Sequence, residues 1–342
     1  MIITAVVGMI LAFAITGLLG YTVIPYLHKL KFGQTILDIG PVWHKNKQGT
    51  PTMGGIMFIV GCLVAFPTAL SIGKIARVLE DGGIIEAFGQ EFRVVPLVAG
   101  VILALGMALI GFIDDYIKVV KKRNLGLTAK QKTMFQLLLA AAYLYSLYLG
   151  GMTQTRLPFF GYIDITSGFG LLFWPIALIF IYGFTNAVNL TDGVDGLATS
   201  VTVVVAIFFA VIAAIMSRYP LACLTAAVFL GGLLGFLLWN RHPAKVFMGD
   251  TGSMFLGGMA VALSFMIEMP ILLFFAGIVY FWEAISVVIQ VTYYKKTKKR
   301  IFKMTPIHHH YEMSGWSENK ICVVFSTITL IGCSIAAVLY LI

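Results

Sequence analysis

Five aspartates in three short turns are the residues of this chain whose types and spacing could carry chemistry. Asp114 and Asp115 are adjacent in GFIDDYIK, Asp192 and Asp195 lie in NLTDGVDG, and Asp250 lies in FMGDTGS. Neighbouring carboxylates repel one another and need a cation or a raised pKa to coexist. Carboxylate oxygens suit Mg²⁺, which takes its remaining ligands from water and substrate phosphate. The turns therefore indicate magnesium-assisted chemistry on a phosphate compound.

Ordinary solvated loops are the alternative interpretation of these turns. They are rich in Gly, Asp and Asn more than in the Ser, Pro and Lys of a plain linker, which favours the functional interpretation.

Basic and hydroxyl side chains near the aspartates fit a phosphate substrate as well. Lys47 precedes the turn GTPTMGG, where Thr52 and backbone N–H groups at a helix start could face an anion. Lys118 follows Asp114 by one helical turn, which places both on one face if that helix continues. Binding of anionic lipid headgroups is the simpler explanation for many of the other cations.

Three consecutive histidines, His308, His309 and His310, stand in PIHHHYE. Their spacing does not put ligands on one face of a helix, so zinc binding is poorly supported. Binding of a substrate phosphate or sugar, or donation of a hydrogen bond, fits them better.

The elements that must position these residues are membrane helices. The chain has 342 residues, of which 59% are hydrophobic and only 11% charged, with a mean hydropathy of +0.94. About 25% charged residues is usual for soluble domains, so a soluble fold is excluded. Apolar runs of about 20 residues predict an all-α polytopic protein of about ten spans, organised as a single domain over residues 1–342. The predicted spans are 3–27, 53–72, 95–113, 133–150, 171–188, 197–216, 221–239, 253–268, 271–292 and 321–341.

The distribution of Lys and Arg predicts the orientation. One set of alternate loops holds nineteen of the 24 basic residues, and basic loops face the cytoplasm. Both termini are then extracytoplasmic, and all five aspartates lie on the cytoplasmic side. Glu283, in YFWEAISVV, falls inside the ninth span, where a lone carboxylate suggests a function. It either faces a groove for a lipid phosphate or bonds a neighbouring helix while protonated.

The motifs resemble those of the polyprenyl-phosphate N-acetylhexosamine-1-phosphate transferases. The matching pieces are GTPTMGG, GFIDDYIK with LTAKQK, NAVNLTDGVDGLA, NRHPAKVFMGDTGS and PIHHHYE, in the expected order over essentially the whole length. PIHHHYE favours the muramoyl-pentapeptide branch of that family.

The resemblance implies a reaction in the membrane step of peptidoglycan synthesis. Phospho-MurNAc-pentapeptide passes from UDP-MurNAc-pentapeptide to undecaprenyl phosphate, giving lipid I and UMP, with Mg²⁺ as cofactor. It also implies a multi-pass protein of the bacterial cytoplasmic membrane, with its site on the cytoplasmic face, membrane lipids as partners, no nucleic acid partner, and a homodimer.

The resemblance further implies a role for each matching residue. Asp250 is the chief metal ligand, and Asp114 draws a proton from the lipid phosphate. The implied metal ligands are Asp250, Asp192 and Asp115. The implied catalytic residues are Asp114, Asp115, Asp250 and His308. The implied substrate-binding residues are Lys47, Thr52, Lys118, Lys130, Asn189, Asp192, Asp195, Asn240, His309 and His310.

Three other functions compete with this one. A sister transferase that moves GlcNAc-1-phosphate from UDP-GlcNAc to a polyprenyl phosphate would keep every aspartate motif. A secondary transporter would place its acids near the midplane, often within inverted repeats, and neither feature is visible in the sequence. A structural scaffold would leave the Asp and His motifs without a purpose.

Overall fold

The structure of the chain is a computed structural model that describes residues 2–30, 47–81, 94–120, 125–216 and 218–342. Its regular elements are mostly long helices. In chain order they are α1 (Ile2–Lys29), α2 (Gly55–Asp81), α3 (Val94–Val120), α4 (Ala129–Leu149), β1 (Gln154–Leu157), β2 (Gly161–Asp164), α5 (Phe173–Thr191), α6 (Leu197–Ile215), α7 (Pro220–Asn240), α8 (Gly249–Met266), α9 (Leu273–Ala276), α10 (Ile278–Thr297), α11 (Ile307–Glu312) and α12 (Glu318–Leu341), with 3₁₀ segments at Gly168–Leu172 and Pro270–Leu272.

The prediction of an all-α polytopic membrane protein is confirmed. Seven helices in the described ranges are long and apolar enough to cross a bilayer, and a bent pair makes an eighth if it is counted as one span. The seven are α1, α2, α3, α5, α6, α7 and α12. Ten spans and the outward-facing termini stay predictions, and part of the evidence for orientation lies outside the described residues, at Lys31, Lys45, Lys121, Lys122 and Arg123.

Helix α8 is the central helix of the bundle. Every residue from Thr251 to Met266 is buried, and α3, α5 and α2 pack around it. Small residues let these helices approach, since a Cβ at Gly258 would lie 2.8 Å from the Ala104 Cα and one at Gly257 would lie 2.7 Å from the Thr185 Cα. The polar first turn of α8 is thereby held among the ends of its neighbours.

Two features depart from a bundle of straight spans. Strands β1 and β2 form an antiparallel hairpin in which Thr155 pairs with Ile163, and the Arg156 N–H donates to the Glu268 carbonyl oxygen at 2.9 Å. The sequence did not predict this hairpin, because its strands are only four residues long. The predicted ninth span is also broken, since Pro270–Ala276 and Ile278–Thr297 meet at a bend of 76°.

Candidate active site

Asp250, on the first turn of α8, is the centre of the site. Its Oδ1 accepts a hydrogen bond from Asn189 Nδ2 at 2.9 Å. Its Oδ2 accepts from Lys132 Nζ at 3.0 Å and from Lys118 Nζ at 3.2 Å. These partners come from the end of α5, the start of α4 and the end of α3. One carboxylate therefore joins four helices at one end of the bundle.

Asp115 holds the beginning of α8 in place. Its Oδ1 accepts from the Asp250 N–H at 3.2 Å, and its Oδ2 accepts from the Thr251 N–H at 2.9 Å and the Thr251 hydroxyl at 2.8 Å. The first N–H groups of a helix have no partner within the helix, so a carboxylate there is stabilising. Gly249 has φ +71, and a Cβ on it would lie 2.5 Å from Asp115 Oδ2 and 2.7 Å from Thr52 Oγ1. Asp115 thus positions Asp250.

Asp114 lies beside Lys118 and the loop that leads into α4. Its Oδ2 is 2.5 Å from Lys118 Nζ, as the spacing of one helical turn predicted, and its Oδ1 accepts from the Leu127 N–H at 2.8 Å. Gly126 lies against this carboxylate so closely that a Cβ would overlap it. The loop before α4 is therefore held to the end of α3 by Asp114.

Three aspartates form a group that could hold a metal ion. Asp114, Asp115 and Asp250 each offer an oxygen, and these oxygens lie within 4.8 Å of one another. Carboxylate oxygens are the ligand type that Mg²⁺ prefers in proteins. The predicted metal ligands were Asp250, Asp192 and Asp115. Asp192 is not part of the group that the structure forms, and Asp114 lies beside Asp115 and Asp250 instead.

The surroundings of Asp250 and Asp192 act in opposite directions on their pKa values. Burial raises the pKa of Asp250, but the positive charges of Lys132 and Lys118 outweigh it and hold that pKa below its ordinary value. Burial raises the pKa of Asp192 well above its ordinary value, and the negative charges of Asp250 and Asp115 raise it further. Asp250 is the anionic centre, whereas Asp192 holds a proton more tightly than a solvated aspartate does.

Lys132 is a residue of the site that the sequence did not predict. Lys130, the lysine that the sequence predicted to bind substrate, is exposed on the first turn of α4. Lys132 Nζ instead contacts Asp250 and lies 3.5 Å from Asn189 Oδ1. Residues two apart on a helix point about 200° from each other, so both lysines cannot face the aspartates. Thr128 caps α4 in a capping box, but a cap fixes where a helix starts and not which face meets its neighbours.

Lys47 and Asp195, both predicted to bind substrate, form a second charged cluster. Lys47 Nζ donates to Asp195 Oδ1 at 2.7 Å and to Glu318 Oε2 at 2.6 Å. Asp195 Oδ2 lies 3.0 Å from His242 Nδ1 and accepts from the Ala244 N–H at 3.0 Å. The cluster ties the segment before α2 to the turn after α5 and to the start of α12. The sequence missed Glu318 and His242, which lie far from Asp195 along the chain.

Asn240 and Thr52 contact the protein itself. Asn240 is buried, and its Oδ1 accepts from the Thr199 hydroxyl at 2.7 Å while its Nδ2 donates to the Val246 carbonyl oxygen at 3.0 Å. Both ends of its amide are thus used inside the fold, which gives the predicted contact with the donor no support. Thr52 is partly buried beside Gly249, at the edge of the aspartate group.

His308 is completely buried in α11. Its Nδ1 lies 3.0 Å from Glu283 Oε2, and its Nε2 faces Gly193 so closely that a Cβ there would overlap it. The ring has no exposed surface with which to contact a substrate in this conformation. The predicted direct role of His308 in catalysis therefore does not fit the geometry, whereas its position beneath the DGVDG turn is clear.

The other two histidines of α11 are closer to the surface. His309 Nδ1 lies 2.8 Å from Glu312 Oε2, and the His309 side chain keeps 13% of its surface exposed. His310 Nδ1 accepts from the Lys303 N–H at 3.1 Å. His309 Nε2 also lies near Gly193, so His309 is the partly exposed histidine of this motif at the DGVDG turn.

Comparisons with known proteins identify the family. A family model described as glycosyl transferase family 4 matches residues 97–268, which contain Asp114, Asp192 and Asp250. A phospho-N-acetylmuramoyl-pentapeptide-transferase signature matches residues 47–59.

Curated relatives extend the match to nearly the whole chain. A phospho-N-acetylmuramoyl-pentapeptide-transferase of Acetivibrio thermocellus is 46% identical over 329 residues, covering 95% of this chain and 92% of the relative. Proteins with the same description from Clostridium perfringens and Halalkalibacterium halodurans are each 42% identical, covering 97% and 96% of this chain and 97% and 95% of the relatives. The chain therefore belongs to the phospho-N-acetylmuramoyl-pentapeptide-transferase family.

Proposed function

We propose that the chain transfers phospho-MurNAc-pentapeptide from UDP-MurNAc-pentapeptide to undecaprenyl phosphate, giving lipid I and UMP. The observation that carries the proposal is the group of three carboxylates and two lysines at one end of a bundle of membrane helices, in a chain of this family. One substrate is a soluble nucleotide and the other a lipid, so the reaction needs charged groups at a membrane surface. The five residues are Asp114, Asp115, Asp250, Lys118 and Lys132.

In the proposed reaction an oxygen of the lipid phosphate attacks the phosphorus that carries the sugar. The bond between that phosphorus and the bridging oxygen breaks, and UMP leaves with the electron pair. Lys118 and Lys132 stabilise the negative charge that develops on the phosphates, which is the main contribution that proteins make to phosphoryl transfer. Asp114 accepts a proton from the lipid phosphate where that phosphate is protonated.

Direct attack is preferred over a phospho-enzyme for a geometric reason. Both oxygens of Asp114 have partners, Lys118 and the Leu127 N–H, and both oxygens of Asp115 accept from the start of α8. A carboxylate oxygen that attacks phosphorus would exchange such a contact for a covalent bond, whereas an oxygen that takes a proton or binds a metal ion through its second lone pair can keep the contact. Trapping a phospho-enzyme on either aspartate in the absence of lipid would overturn this preference.

We propose Mg²⁺ as the cofactor, held by Asp114 and Asp250 with Asp115 beside them. The fit rests on the three carboxylate oxygens within 4.8 Å of one another. A bound Mg²⁺ would neutralise phosphate charge and orient the diphosphate. Neighbouring carboxylates repel one another and also repel a diphosphate, and a cation bound between them would remove that repulsion. A cation at this place fits the proposed substrate for that reason.

The site is proposed to face the cytoplasm of a bacterial cell, where a soluble nucleotide donor is available. The basic loops of the sequence support this orientation. Both substrates then reach the ends of α3, α5 and α8 from the same side of the membrane.

The test is UMP release by the purified protein in detergent with undecaprenyl phosphate and Mg²⁺. Two donors, UDP-MurNAc-pentapeptide and UDP-GlcNAc, are compared, and Asp250→Ala is measured alongside. We expect release with the muramoyl donor alone, its loss in Asp250→Ala, and its loss on chelation of Mg²⁺ with recovery when Mg²⁺ is restored. Release with UDP-GlcNAc instead would move the chain to the sister activity, and release with neither donor would refute both.

A further inference from the structure

Glu283 is a completely buried ionisable side chain that the proposed reaction leaves without a role. It lies on the second turn of α10, just past the bend of 76° between α9 and α10, and its side chain is 0% exposed. A carboxylate at this depth is costly to bury and calls for a specific partner.

The partner of Glu283 is His308. Glu283 Oε2 lies 3.0 Å from His308 Nδ1 and 3.4 Å from the His308 backbone nitrogen, which donates to it. The contact with the ring is close but not aligned as a hydrogen bond. Glu283 Oε1 and both ring nitrogens of His308 have no hydrogen-bond partner among the described residues. Buried polar groups are rarely left in this state, so this pair calls for an explanation.

The other edge of the His308 ring supports the turn that carries Asp192. Its Nε2 lies directly against Gly193, where only a residue without a side chain fits. Gly193 follows Asp192, whose backbone N–H donates to the Asn189 carbonyl oxygen at 3.3 Å, and Asn189 Nδ2 donates to Asp250 Oδ1 at 2.9 Å. A line of contacts therefore runs from α10 through α11 to the edge of the aspartate group.

We propose that Glu283 is a positioning residue that fixes the ring of His308, and that His308 in turn fixes the Asp192–Gly193 turn at the active site. The Glu283 carboxylate, 3.0 Å from Nδ1, favours the tautomer that carries the ring proton on that nitrogen, as carboxylates do for functional imidazoles elsewhere. The proposal deepens the proposed transferase function and rests on it. It assigns to α10 an influence on Asp192 that passes through His308 and Gly193.

Three variants test this role. Glu283→Leu removes the acceptor at nearly constant volume, Glu283→Gln keeps an acceptor oxygen without the charge, and His308→Ala removes the ring. Removing one partner of a buried charged pair destabilises the fold, because the other partner is left unpaired. We therefore expect Glu283→Leu to melt below wild type and, when assayed at a temperature at which it is still folded, to lose about 10-fold to 100-fold in kcat, and Glu283→Gln to recover part of both losses. Wild-type kcat in Glu283→Leu would overturn the proposal.

A double variant separates positioning from general destabilisation. If Glu283 acts through His308, adding Glu283→Leu to His308→Ala removes no further activity. Additive losses would show that the two residues act independently and would overturn the proposal. Glu268→Gln is the matched control, because Glu268 is also buried but bonds Tyr219 and Tyr162 away from the aspartate group. We expect it to keep wild-type kcat.

A spectroscopic measurement decides the proposal even if the transferase function is wrong. The chain has six histidines, so ring ¹⁵N labelling gives few signals, and the loss of one set in His308→Ala assigns that residue. We expect a protonated Nδ1 on His308 in the wild type and a changed Nδ1 signal in Glu283→Leu. An unchanged signal would overturn the pairing. Failure of UMP release in the wild type with this signal present would refute the transferase function alone.

Discussion

Replacing Lys132 by Met tests whether the structure identifies the phosphate-side lysine correctly. Lys132 Nζ lies 3.0 Å from Asp250 Oδ2, with 18% and 20% of the two side chains exposed. Lys130 is two residues earlier and exposed, so Lys130→Met is the matched comparison on the same helical turn. The two substitutions remove the same charge from the same segment and differ only in the face of α4 that loses it.

The expected magnitude follows from the charges at Asp250. Two unit charges 3.0 Å apart attract by about 5–6 kcal/mol at an effective dielectric constant of about 20. Water reaches part of the pair, and Lys118, at 3.2 Å, still contacts the same oxygen after the substitution. An ammonium group that turns from Asp250 to a phosphate attracts the charge developing there by a comparable amount, which water and Lys118 partly offset. We therefore expect a loss of about 2–3 kcal/mol in transition-state stabilisation, which corresponds to about 30-fold to 150-fold in kcat/KM.

The assay is UMP release at varied donor concentration, with both variants purified alongside the wild type. Melting temperatures in the same detergent show whether either variant has lost its fold. We expect Lys130→Met to lose much less than Lys132→Met. A larger loss in Lys130→Met, with both proteins folded, would refute the assignment and restore the lysine that the sequence predicted.

Three further substitutions probe the aspartate group. Asp115→Asn weakens the cap of α8 and should lower the free energy of unfolding by about 1–2 kcal/mol, read as a lower melting temperature in detergent; an unchanged melting temperature would contradict the capping role. Gly126→Ala places a Cβ against the Asp114 carboxylate and should cut UMP release at least tenfold, whereas Gly183→Ala, which meets open space, should not. Asp192→Asn should keep the fold and lose turnover by orders of magnitude, and near wild-type UMP release would refute its role.

The helices could be predicted from the sequence because apolar runs of about 20 residues identify them directly. The surroundings of each helix could not be predicted in the same way. Hydropathy does not distinguish a helix that faces lipid from one enclosed by protein, so it gave no sign that α8 is buried on all sides. The hairpin was missed because two strands of four residues carry little periodic signal.

Within the site, local contacts could be predicted and distant ones could not. The pair Asp114 and Lys118 follows from helical spacing, and the structure confirms it at 2.5 Å. The contact of Lys132 with Asp250 joins residues 118 positions apart, and that of Lys47 with Glu318 joins residues 271 positions apart. Such pairings depend on which helix ends meet in space.

The site combines carboxylates that are fixed in the helical framework with lysines that can move. Substitutions in these two parts should therefore have different effects. Asp115 and Thr251 are buried and bonded within the helical framework, so exchanging those bonds would disturb the start of α8. Lys118 and Lys132 keep 35% and 18% of their side chains exposed, and their long stems let the ammonium groups turn from Asp250 towards a phosphate. Changes at Asp115 should therefore act mainly on stability, whereas changes at the lysines should act mainly on kcat/KM.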